Sequence, residues 1–586
     1  MILFSITVLL VHTIHTTPMI HDEYLVYRFT RGSFAETIDY LANRDVHPPL
    51  WFSFFWVWQR LVGDSDFAGR MQAVLFSLLT LSLVYQMGRR WFGAPRYGLF
   101  AMIALGVSAL YVQYSLQIRP YGLTLFLAAL SMFALQRWLK RPTPRSAAAY
   151  AATVAALLYV HYFLFILILT QVLYILLRRP SRRFLQQAVG AGVLAFVFWL
   201  PWFPSFLVQF QHIRSVELAS GDARGIAGSS VTTQATSPEA IIELIQLASN
   251  GQVLLYGLVL AVSLIYGWRK MNYRLALAWG IGVPVVAFTG NLLAAIYTPR
   301  YIVNFVIGLA LLLAAGLALL PGRVRWGAVI VFAAISLSAM PSQFPQDMAP
   351  FYLLFRDLKA ALQPGDVIFL DKGYSDDVMK WNYNRILTQQ NRDEATMQSD
   401  EALNARRIWH LTGQWLDPEV QANFRRIETS HPRQSGFGQC DVNWCYLMQL
   451  MEAPPWTEPQ TFGDDMAFWG VDVDSVTRET IQTRLWWKVQ QPPPLDYSMS
   501  LRLLAGDGTL AAQADGPINH YGAAVVNTSQ LEPGRIYIDF RALALPENLS
   551  PGRYTLELVV YDWQTQEQLL LPDGSNRLLL ETIEIP

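Results

Sequence analysis

The chain has 586 residues, of which 53% are hydrophobic and only 15% are charged, and its 44 basic residues equal its 44 acidic ones. Soluble globular chains carry roughly 25% charged residues, so part of this chain is expected to lie out of water. Nucleic acid is excluded as an expected partner, because phosphate binding requires a basic excess on the bound face.

The chain begins with an apolar run, MILFSITVLLVHTIHT, that has no basic flank and no small-residue cleavage site. A cleaved signal peptide is therefore not expected. The run is also shorter than the roughly 20 residues that cross a bilayer. We expect either a trimmed start or a helix that crosses with the help of its flanking residues.

Apolar stretches recur throughout the predicted transmembrane domain, residues 1–342, and predict about eleven membrane-spanning helices. The predicted helices are Met1–His15, Phe67–Gly88, Tyr97–Gln117, Tyr121–Trp138, Ala147–Tyr162, Phe163–Leu177, Ala188–Leu207, Gly251–Trp268, Leu275–Tyr297, Tyr301–Leu320 and Trp326–Met340. Two long loops, 16–66 and 208–250, separate some of them. In the first loop, the aromatic run from Trp51 to Trp58 predicts a helix that lies in the membrane interface. The second loop is rich in Gly, Ser and Thr, which fits either a flexible cover over a site or a disordered connector.

Basic residues of the short turns alternate between the two ends of the predicted helices. The Arg-rich turns contain Arg89, Arg90, Arg96, Lys140, Arg141, Arg145, Arg178, Arg179, Arg182, Arg183, Arg269, Lys270, Arg274, Arg323 and Arg325. Short loops with excess Lys and Arg stay in the cytoplasm. An odd number of spans in the plasma (inner) membrane then predicts a cytoplasmic N-terminus and an extracytoplasmic C-terminal region.

That C-terminal region is expected to contain two parts. Residues 343–455 predict a mixed α/β segment, in which a helix at Phe351–Gln363 precedes the buried strand VIFLD. Residues 456–586 carry regularly spaced strand patterns, such as RLWWKV and RYTLELVVYDW, separated by Gly-containing turns, and predict a β-sandwich.

The two cysteines of the chain, Cys440 and Cys445, lie in the segment CDVNWC. This spacing is compatible with a hairpin disulfide in an oxidising compartment, and two free thiols are the alternative. A zinc site would require more ligands than the distant His431 supplies. No metal ligand set and no required cofactor are predicted, and a divalent metal has no support in the residues.

Ionisable residues are nearly missing from the centres of the predicted spans, where ion-coupled transporters carry them. They cluster instead at the predicted outer ends of the helices, at Asp22, Glu23, His47, Arg70, Arg119, His161 and Arg300. If the helices form a bundle, these ends surround one cavity at the membrane surface. A lipid-bound substrate would present its polar head at that depth.

The pair Asp22-Glu23 follows the first span directly. A carboxylate at the mouth of an apolar bundle has reduced solvation, which strengthens it as a general base toward a hydroxyl group. The alternative is an ordinary N-cap for a helix that starts at Tyr24. Arg70 is expected either to pair with a carboxylate of the first loop or only to anchor its helix.

The remaining candidates are short motifs at turns. Arg119 in RPY and Arg300 in PRY suit a phosphate, since the guanidinium fork is planar and always charged, and the alternative is an arginine that only marks the interface. His161-Tyr162 lies at an apolar helix end, where a lone histidine is more often structural. His47-Pro48-Pro49 either shapes a site or simply starts the aromatic helix.

Taken together, the segments HDEY, HPPLWF, QIRPYGLTLFL, HYFLF and TPRYIVNFV resemble those of bacterial C-type glycosyltransferases. These enzymes are similar to the protein O-mannosyltransferases (glycosyltransferase family 39-like) and the lipid A aminoarabinose transferase. The resemblance covers roughly Ile20–Leu320, and the tail from FWGVDVD onward resembles β-sandwich domains attached to such enzymes. A second acidic residue that several relatives carry at the outer end of a later span is missing near Arg119, which leaves any metal or acid role of that group without a counterpart.

The resemblance implies a polytopic membrane enzyme of the C-type glycosyltransferase fold that transfers a sugar from a polyprenyl-phosphate donor to a lipid, glycan or protein acceptor. It implies Asp22 as general base, with Glu23 beside it. It implies that basic and Tyr residues hold the donor phosphate, and the matching positions are Arg119, Tyr121, Arg300 and Tyr301. From their place at the predicted outer helix ends, His47, Arg70, His161 and Tyr162 are further candidates for binding the donor. The alternatives from other classes are a transporter or flippase of lipid-linked sugars and a non-enzymatic glycan-binding membrane protein, and a polymerase or ligase that uses lipid-linked sugars is a closer one.

Overall fold

The computed structural model describes residues 2–16, 21–220, 236–267, 271–293, 297–343, 350–370, 386–387, 395–397, 400–413, 418–441 and 444–586. The chain divides into two compact units, Met1–Ala349 and Pro350–Pro586.

The first unit is helical. Its α-helices are α1 (Ile2–Thr16), α2 (His21–Thr30), α3 (Phe34–Asn43), α4 (Pro49–Val62), α5 (Asp66–Phe92), α6 (Pro95–Gly106), α7 (Ala109–Tyr114), α8 (Tyr121–Lys140), α9 (Pro144–Val160), α10 (Phe165–Leu177), α11 (Arg182–Trp199), α12 (Phe203–Ser220), α13 (Pro238–Ala248), α14 (Val253–Gly267), α15 (Met271–Leu277), α16 (Val283–Asn291), α17 (Pro299–Ile302), α18 (Phe305–Leu319) and α19 (Val324–Ala339). Short 3₁₀ segments at Tyr162–Leu164, Leu200–Trp202 and Met340–Gln343 and a π turn at Ala278–Gly282 connect some of them.

Several of these helices are long and apolar enough to cross a membrane. Among the described residues, four qualify alone, and a pair bent by 82° would make a fifth. They are Asp66–Phe92, Tyr121–Lys140, Arg182–Gln211, Asn272–Asn291 and the bent pair Pro238–Ala248 with Val253–Ile265. Shorter apolar helices lie at Leu3–Ile14, Tyr162–Leu177, Phe305–Leu319 and Val324–Ala339. The chain is therefore a membrane protein with many apolar helices, as its composition predicts.

Some predicted spans are interrupted. The stretch 97–117 was predicted as one helix, whereas α6 ends at Gly106 and α7 begins at Ala109. The side chain of Ser108 accepts the backbone N–H of Tyr111 at 3.4 Å, and Asn250 accepts that of Ala109 at 2.9 Å. These two polar side chains satisfy the N–H groups that a helix start leaves without intrahelical partners. The predicted loop 208–250 is likewise corrected at both ends, where α12 and α13 lie, while residues 221–235 fall outside the described part.

The aromatic helix α4 packs inside the first unit. Trp51, Phe52 and Phe55 are all fully buried, and Trp51 stacks on Phe55 with ring centroids 5.1 Å apart. Protein covers this face of the helix, and its position in the membrane interface stays a prediction. Phe52 of this helix lies beside His47, with ring centroids 5.6 Å apart.

The second unit begins with a mixed sheet. Its strands are β1 (Val367–Leu370), β2 (Ala395–Met397), β3 (Arg407–Gly413), β4 (Arg433–Asp441) and β5 (Trp444–Glu452), in the spatial order β2-β1-β3-β5-β4. Strand β1 pairs in parallel with β2 and β3, and β5 pairs antiparallel with β3 and β4. Helices α20 (Pro350–Ala361) and α21 (Pro418–Glu428) contribute Phe355 and Ile427 to the cores of this sheet.

The remainder of the second unit is a β-sandwich, as predicted. Its strands are β6 (Gln460–Phe462), β7 (Met466–Val476), β8 (Thr480–Lys488), β9 (Tyr497–Leu504), β10 (Leu510–Gly516), β11 (Ile518–His520), β12 (Ala524–Val526), β13 (Ile536–Ala544), β14 (Gly552–Asp562) and β15 (Leu578–Ile585). They form sheets in the orders β12-β11-β13-β8-β7-β6 and β10-β9-β14-β15. One hydrophobic core joins both sheets, with Trp487 from the first and Leu501 from the second fully buried in it.

The cysteines lie in the β4–β5 hairpin. Cys440 is directly opposite Cys445 in the antiparallel register. Their side chains lie outside the described part of the structure, so the disulfide stays a prediction.

Candidate active site

One end of the helical unit gathers most of the polar residues that the sequence singles out. Asp22 and Glu23 lie in the first turn of α2, and Arg119 lies in the link between α7 and α8. His161 follows the last residue of α9, and Arg300 lies in the single turn α17. All of these residues lie at helix starts, helix ends or turns. Their side chains therefore come together without placing a charge in the middle of a membrane-spanning segment.

The Asp22 carboxylate lies between two guanidinium groups. Its Oδ2 is 3.6 Å from Arg119 Nη2 and 3.5 Å from Arg300 Nη1. Asp22 keeps 37% of its side-chain surface exposed, whereas Arg119 keeps 7%. The three groups thus form an open acid–base cluster in which two nearby cations stabilise the ionised carboxylate.

Glu23 differs from Asp22 in its surroundings, because it is fully buried. Arg70 Nε and Nη2 donate to its two carboxylate oxygens at 2.9 and 2.6 Å. The backbone N–H of Ile118 donates to the same carboxylate at 2.7 Å. Of the two arrangements considered for Arg70, the structure contains the pair with a first-loop carboxylate, and this bidentate pair occupies the guanidinium fork.

His47 links the cluster to a second carboxylate. Its Nδ1 is 2.9 Å from Asp45 Oδ1, and its Nε2 is 3.2 Å from Arg119 Nη2. A guanidinium nitrogen can only donate, so Nε2 accepts and the ring proton is on Nδ1, which donates to Asp45. Asp45 was not singled out from the sequence, although the spacing Asp-x-His is a local signal for such a pair.

Aromatic rings form the wall beside this cluster. The ring of His161 is 5.2 Å from that of Tyr301 and 6.3 Å from that of Tyr121, measured between centroids. Tyr301 stacks on Phe163 at 4.1 Å with nearly parallel planes. All but Phe163 are buried. Such a wall offers flat apolar faces beside a cationic cluster.

Tyr162 points away from this wall. Its hydroxyl donates to Gln209 Oε1 at 2.6 Å and accepts from Trp202 Nε1 at 2.7 Å. Gln209 in turn donates to the carbonyl groups of Leu41 and His47 at 2.6 and 3.3 Å. Gln209, which accepts from the phenol of Tyr162, thereby ties the first loop to α12, and the donor contact of Tyr162 stays a prediction. No local sequence signal marks Gln209. The two carbonyl groups to which it donates belong to residues more than 160 positions earlier in the chain.

Several buried polar atoms near the cluster have no protein partner within the described part of the chain. They are Asp45 Oδ2, Arg119 Nε, His161 Nδ1 and Tyr297 Oη. Buried polar atoms are costly without hydrogen bonds. Their concentration beside an exposed carboxylate is typical of a surface that binds a polar ligand.

The described residues contain no group of three or more His, Cys, Asp and Glu side chains that could hold a metal ion. Acidic and basic side chains in this cluster contact each other instead.

Residues 46–204 match the family model of dolichyl-phosphate-mannose-protein mannosyltransferases, and this segment contains His47, Arg119 and His161. ArnT from Cupriavidus metallidurans, solved with bound undecaprenyl phosphate, superimposes with a TM-score of 0.50 at 14% identity, covering 76% of this chain and 97% of that one. The chain has the C-type glycosyltransferase fold.

More distant likenesses accompany this fold. The arabinosyltransferase EmbB from Mycobacterium smegmatis gives a TM-score of 0.35 at 11% identity, covering 93% of this chain and 63% of that one. The protein O-mannosyltransferase complex Pmt1-Pmt2 from S. cerevisiae, bound to its sugar donor, gives 0.26 at 18% identity and covers 36% of this chain and 33% of that one. No curated protein sequence matches the chain.

Proposed function

We propose that the protein is a membrane glycosyltransferase that moves a sugar from a polyprenyl-phosphate donor to an acceptor hydroxyl group. The observation that carries the proposal is the Asp22 carboxylate, partly exposed and 3.5–3.6 Å from two guanidinium nitrogens. A proton acceptor and two phosphate-binding cations at one point are what this transfer requires. The family match of residues 46–204 and the structural likeness to a protein solved with undecaprenyl phosphate support the same reaction class.

In the proposed reaction the hydroxyl oxygen of the acceptor attacks the anomeric carbon of the sugar. Asp22 accepts the proton that this hydroxyl group loses. The bond between that carbon and the phosphate oxygen breaks, and its electron pair stays on the phosphate. Arg119 and Arg300 stabilise the negative charge that gathers there. A single displacement inverts the configuration of the anomeric carbon.

The two arginines impose an order on these events. Before the donor binds, both cations stabilise the Asp22 anion and thereby weaken it as a base. The donor phosphate competes for the same guanidinium groups, so its binding draws their charge away from Asp22. The carboxylate thus becomes a stronger base only after the donor has bound. Proton transfer from an acceptor hydroxyl group is therefore disfavoured while the donor is missing.

We assign Glu23 a positioning role rather than proton transfer. Its carboxylate is fully buried and already accepts three N–H groups, from Arg70 twice and from Ile118 once. Because Glu23 follows Asp22 and Ile118 precedes Arg119, this contact sets the spacing between base and cation. Tyr121, His161 and Tyr301 would then border the donor sugar or the first isoprene units.

The proposed reaction takes place on the extracytoplasmic side. The support is the distribution of basic residues, which are concentrated in the turns at the opposite helix ends, such as Arg89-Arg90 and Arg182-Arg183. The second unit would then be extracytoplasmic as well. Labelling by a membrane-impermeant maleimide tests this, with single cysteines introduced at Asp39 and at Arg141 in a background that carries Cys440→Ser and Cys445→Ser. The first should react in intact cells and the second only after lysis.

The deciding experiment uses purified protein and a panel of polyprenyl-phosphate sugars. The wild type should hydrolyse or transfer one of them, and Asp22→Asn should lower turnover by about 10²–10⁴-fold, since general-base catalysis contributes that much. Asp39→Asn is the matched control, because Asp39 is exposed on α3 and bonded to Asn43. Normal turnover by Asp22→Asn would reject this base. Movement of an intact lipid-linked sugar across vesicles without any transfer would instead indicate a flippase.

A further inference from the structure

Asp45 is a buried carboxylate that has no direct role in the proposed proton transfer or in binding the phosphate. It lies between α3 and α4, and its side chain is 6% exposed. Oδ1 accepts the backbone N–H of Val46 at 2.6 Å and Nδ1–H of His47 at 2.9 Å. Burying a charged group is costly, so its retention calls for a function or a structural use.

The contact with His47 selects one of the two neutral forms of the imidazole. With the proton held on Nδ1 by Asp45, the lone pair of Nε2 faces Arg119 Nη2 at 3.2 Å. In the other neutral form Nε2 would carry the proton and point a donor at a donor. A doubly protonated ring would also carry a proton on Nε2 and could not accept from Arg119. Only the form chosen by Asp45 allows His47 to accept a hydrogen bond from Arg119.

We infer that Asp45 is a positioning residue for the donor-phosphate site, acting through His47 to fix the orientation of the Arg119 guanidinium. The relay runs from Asp45 Oδ1 to His47 Nδ1 and from His47 Nε2 to Arg119 Nη2. It rests on the proposed function, since it takes Arg119 as the ligand of a lipid phosphate. Its consequence is that the Arg119 fork is oriented before the phosphate arrives, which reduces the entropy lost on binding.

Other contacts are consistent with a prearranged relay. Gln209 Nε2 donates to the carbonyl oxygen of His47 at 3.3 Å, and Pro48 and Pro49 restrict the backbone that follows. The hydrogen bonds from the His47 ring and the Val46 N–H, together with the nearby charge of Arg119, favour the ionised form of Asp45. The carboxylate therefore stays ionised at neutral pH and continues to accept the Nδ1 proton.

The test measures binding of undecaprenyl phosphate to the full-length protein in nanodiscs, together with turnover where a donor is known. Asp45→Ala should weaken binding about ten-fold, because a hydrogen bond to a charged group contributes roughly that factor. It should raise the apparent KM for the donor and also lower kcat, since Arg119 stabilises the charge that gathers on the leaving phosphate as well as binding it. Asp45→Asn keeps an oxygen acceptor that the Val46 N–H holds in place, so it should stay within about three-fold of the wild type.

A double-mutant cycle with His47→Ala separates the relay from a general structural role. If Asp45 acts through His47, then adding Asp45→Ala to His47→Ala should change the affinity by less than about two-fold. An equal loss in both backgrounds overturns the inference, as does a ten-fold loss in Asp45→Asn with His47 present. Asp39→Ala is the matched control for an acidic residue of the same loop.

The same experiment distinguishes failure of the inference from failure of the proposed function. If Arg119→Ala weakens binding but Asp45→Ala does not, the relay is wrong and the donor site stands. If wild type and Arg119→Ala bind undecaprenyl phosphate equally, the donor site itself is wrong and the relay is rejected with it. If Asp45→Ala fails to fold, Asp45→Ser replaces it in the cycle with His47→Ala, and an equal loss of affinity in both backgrounds again overturns the inference.

Discussion

Two buried arginines of the site have different electrostatic partners, and this difference determines what each can bind. Arg70 forms a bidentate pair with Glu23, in which both side chains are at most 2% exposed. Arg119 is 3.6 Å from a partly exposed carboxylate, and its Nε has no partner within the described residues. A lipid phosphate would therefore engage Arg119 and leave the Arg70 pair intact.

The first prediction concerns Arg119. Arg119→Ala should weaken binding of undecaprenyl phosphate by about ten-fold or more, because a charge-assisted contact contributes roughly 1.5–3 kcal/mol. Arg119→Lys should recover only part of this, since an ammonium group lacks the planar fork. Equilibrium binding in nanodiscs measures the effect, with Arg31→Ala at an exposed position as control. Unchanged affinity would mean that Arg119 serves only to anchor its helix at the interface.

A second prediction concerns the buried pair. Glu23→Gln should lower the free energy of unfolding by about 3–5 kcal/mol, because it leaves the Arg70 charge buried without a counter-charge. Glu23→Gln combined with Arg70→Met should regain much of that loss, since an uncharged pair carries no such penalty. Detergent-induced unfolding followed by circular dichroism measures both variants. If the double variant is as unstable as the sum of the single ones, the two residues do not act as a pair.

Sequence patterns predicted the composition of the cluster better than its contacts. Asp22, Arg119 and Arg300 stand out because ionisable residues are rare beside apolar spans. The partner of Arg70 was left open between two arrangements, since 47 positions separate it from Glu23 and no local pattern joins them. The contacts of Gln209 with Leu41 and His47 arise only in the folded helices, so no sequence pattern indicates them, whereas the spacing Asp-x-His is a local signal for the Asp45–His47 pair.

At the scale of elements, close contact between helices depends on glycine. The π turn at Ala278–Gly282 meets α18 where Gly280 faces Gly308, and a Cβ at Gly308 would overlap the backbone nitrogen of Gly280 and lie 2.8 Å from its Cα. Small residues allow such backbone approach between apolar helices. Helix α18 directly follows α17, where Arg300 lies, so this contact helps to position that arginine.

The third prediction follows from that contact. Gly308→Ala should lower the free energy of unfolding by about 1–3 kcal/mol, because the methyl group meets backbone atoms that cannot rotate away. Gly327→Ala in α19 is the matched control, since a Cβ there meets no atom within 4 Å, and it should leave stability equal or slightly higher. Thermal unfolding of both purified variants provides the measurement. Equal stability of the two variants would show that the helices can separate at little cost.

Helix breaks were harder to predict than helices. Hydropathy treats residues 97–117 as one span, but the break at Val107-Ser108 is stabilised by Asn250, whose Nδ2 donates to the carbonyl groups of Val107 and Ser336 at 2.7 and 3.0 Å. Asn250 has a positive φ of 51°, which asparagine tolerates better than most residues. An apolar pattern carries no information about such a distant polar contact.

At the scale of the whole chain, the second unit was the more predictable of the two units in its strands. Strand β7 alternates in burial over its first residues, and the Gly-containing turns separate strands as the sequence indicates. The joint between the mixed sheet and the β-sandwich was not predicted. It consists of charged side chains from both parts, which sequence patterns assign to solvent.

Glu452 is the centre of that joint. It is 2% exposed and pairs with Arg407 of β3, whose Nη1 donates at 2.5 Å, and with Arg484 of β8. Arg406 also pairs with Asp472 of β7. Because these contacts cross between the two parts of one compact unit, the parts are expected to open together.

The fourth prediction tests this coupling. Glu452→Gln removes the shared negative charge and leaves two arginines facing each other, so it should destabilise the joint by about 3 kcal/mol. Hydrogen exchange of the full-length protein, read in β3 and β8, should become faster by about a hundred-fold at both strands, since 1.4 kcal/mol is a factor of ten. Glu532→Gln is the control, because Glu532 pairs with Arg535 at a position where both side chains are at least half exposed, and such pairs contribute little. Faster exchange in only one of the two strands would mean that the mixed sheet and the β-sandwich open independently.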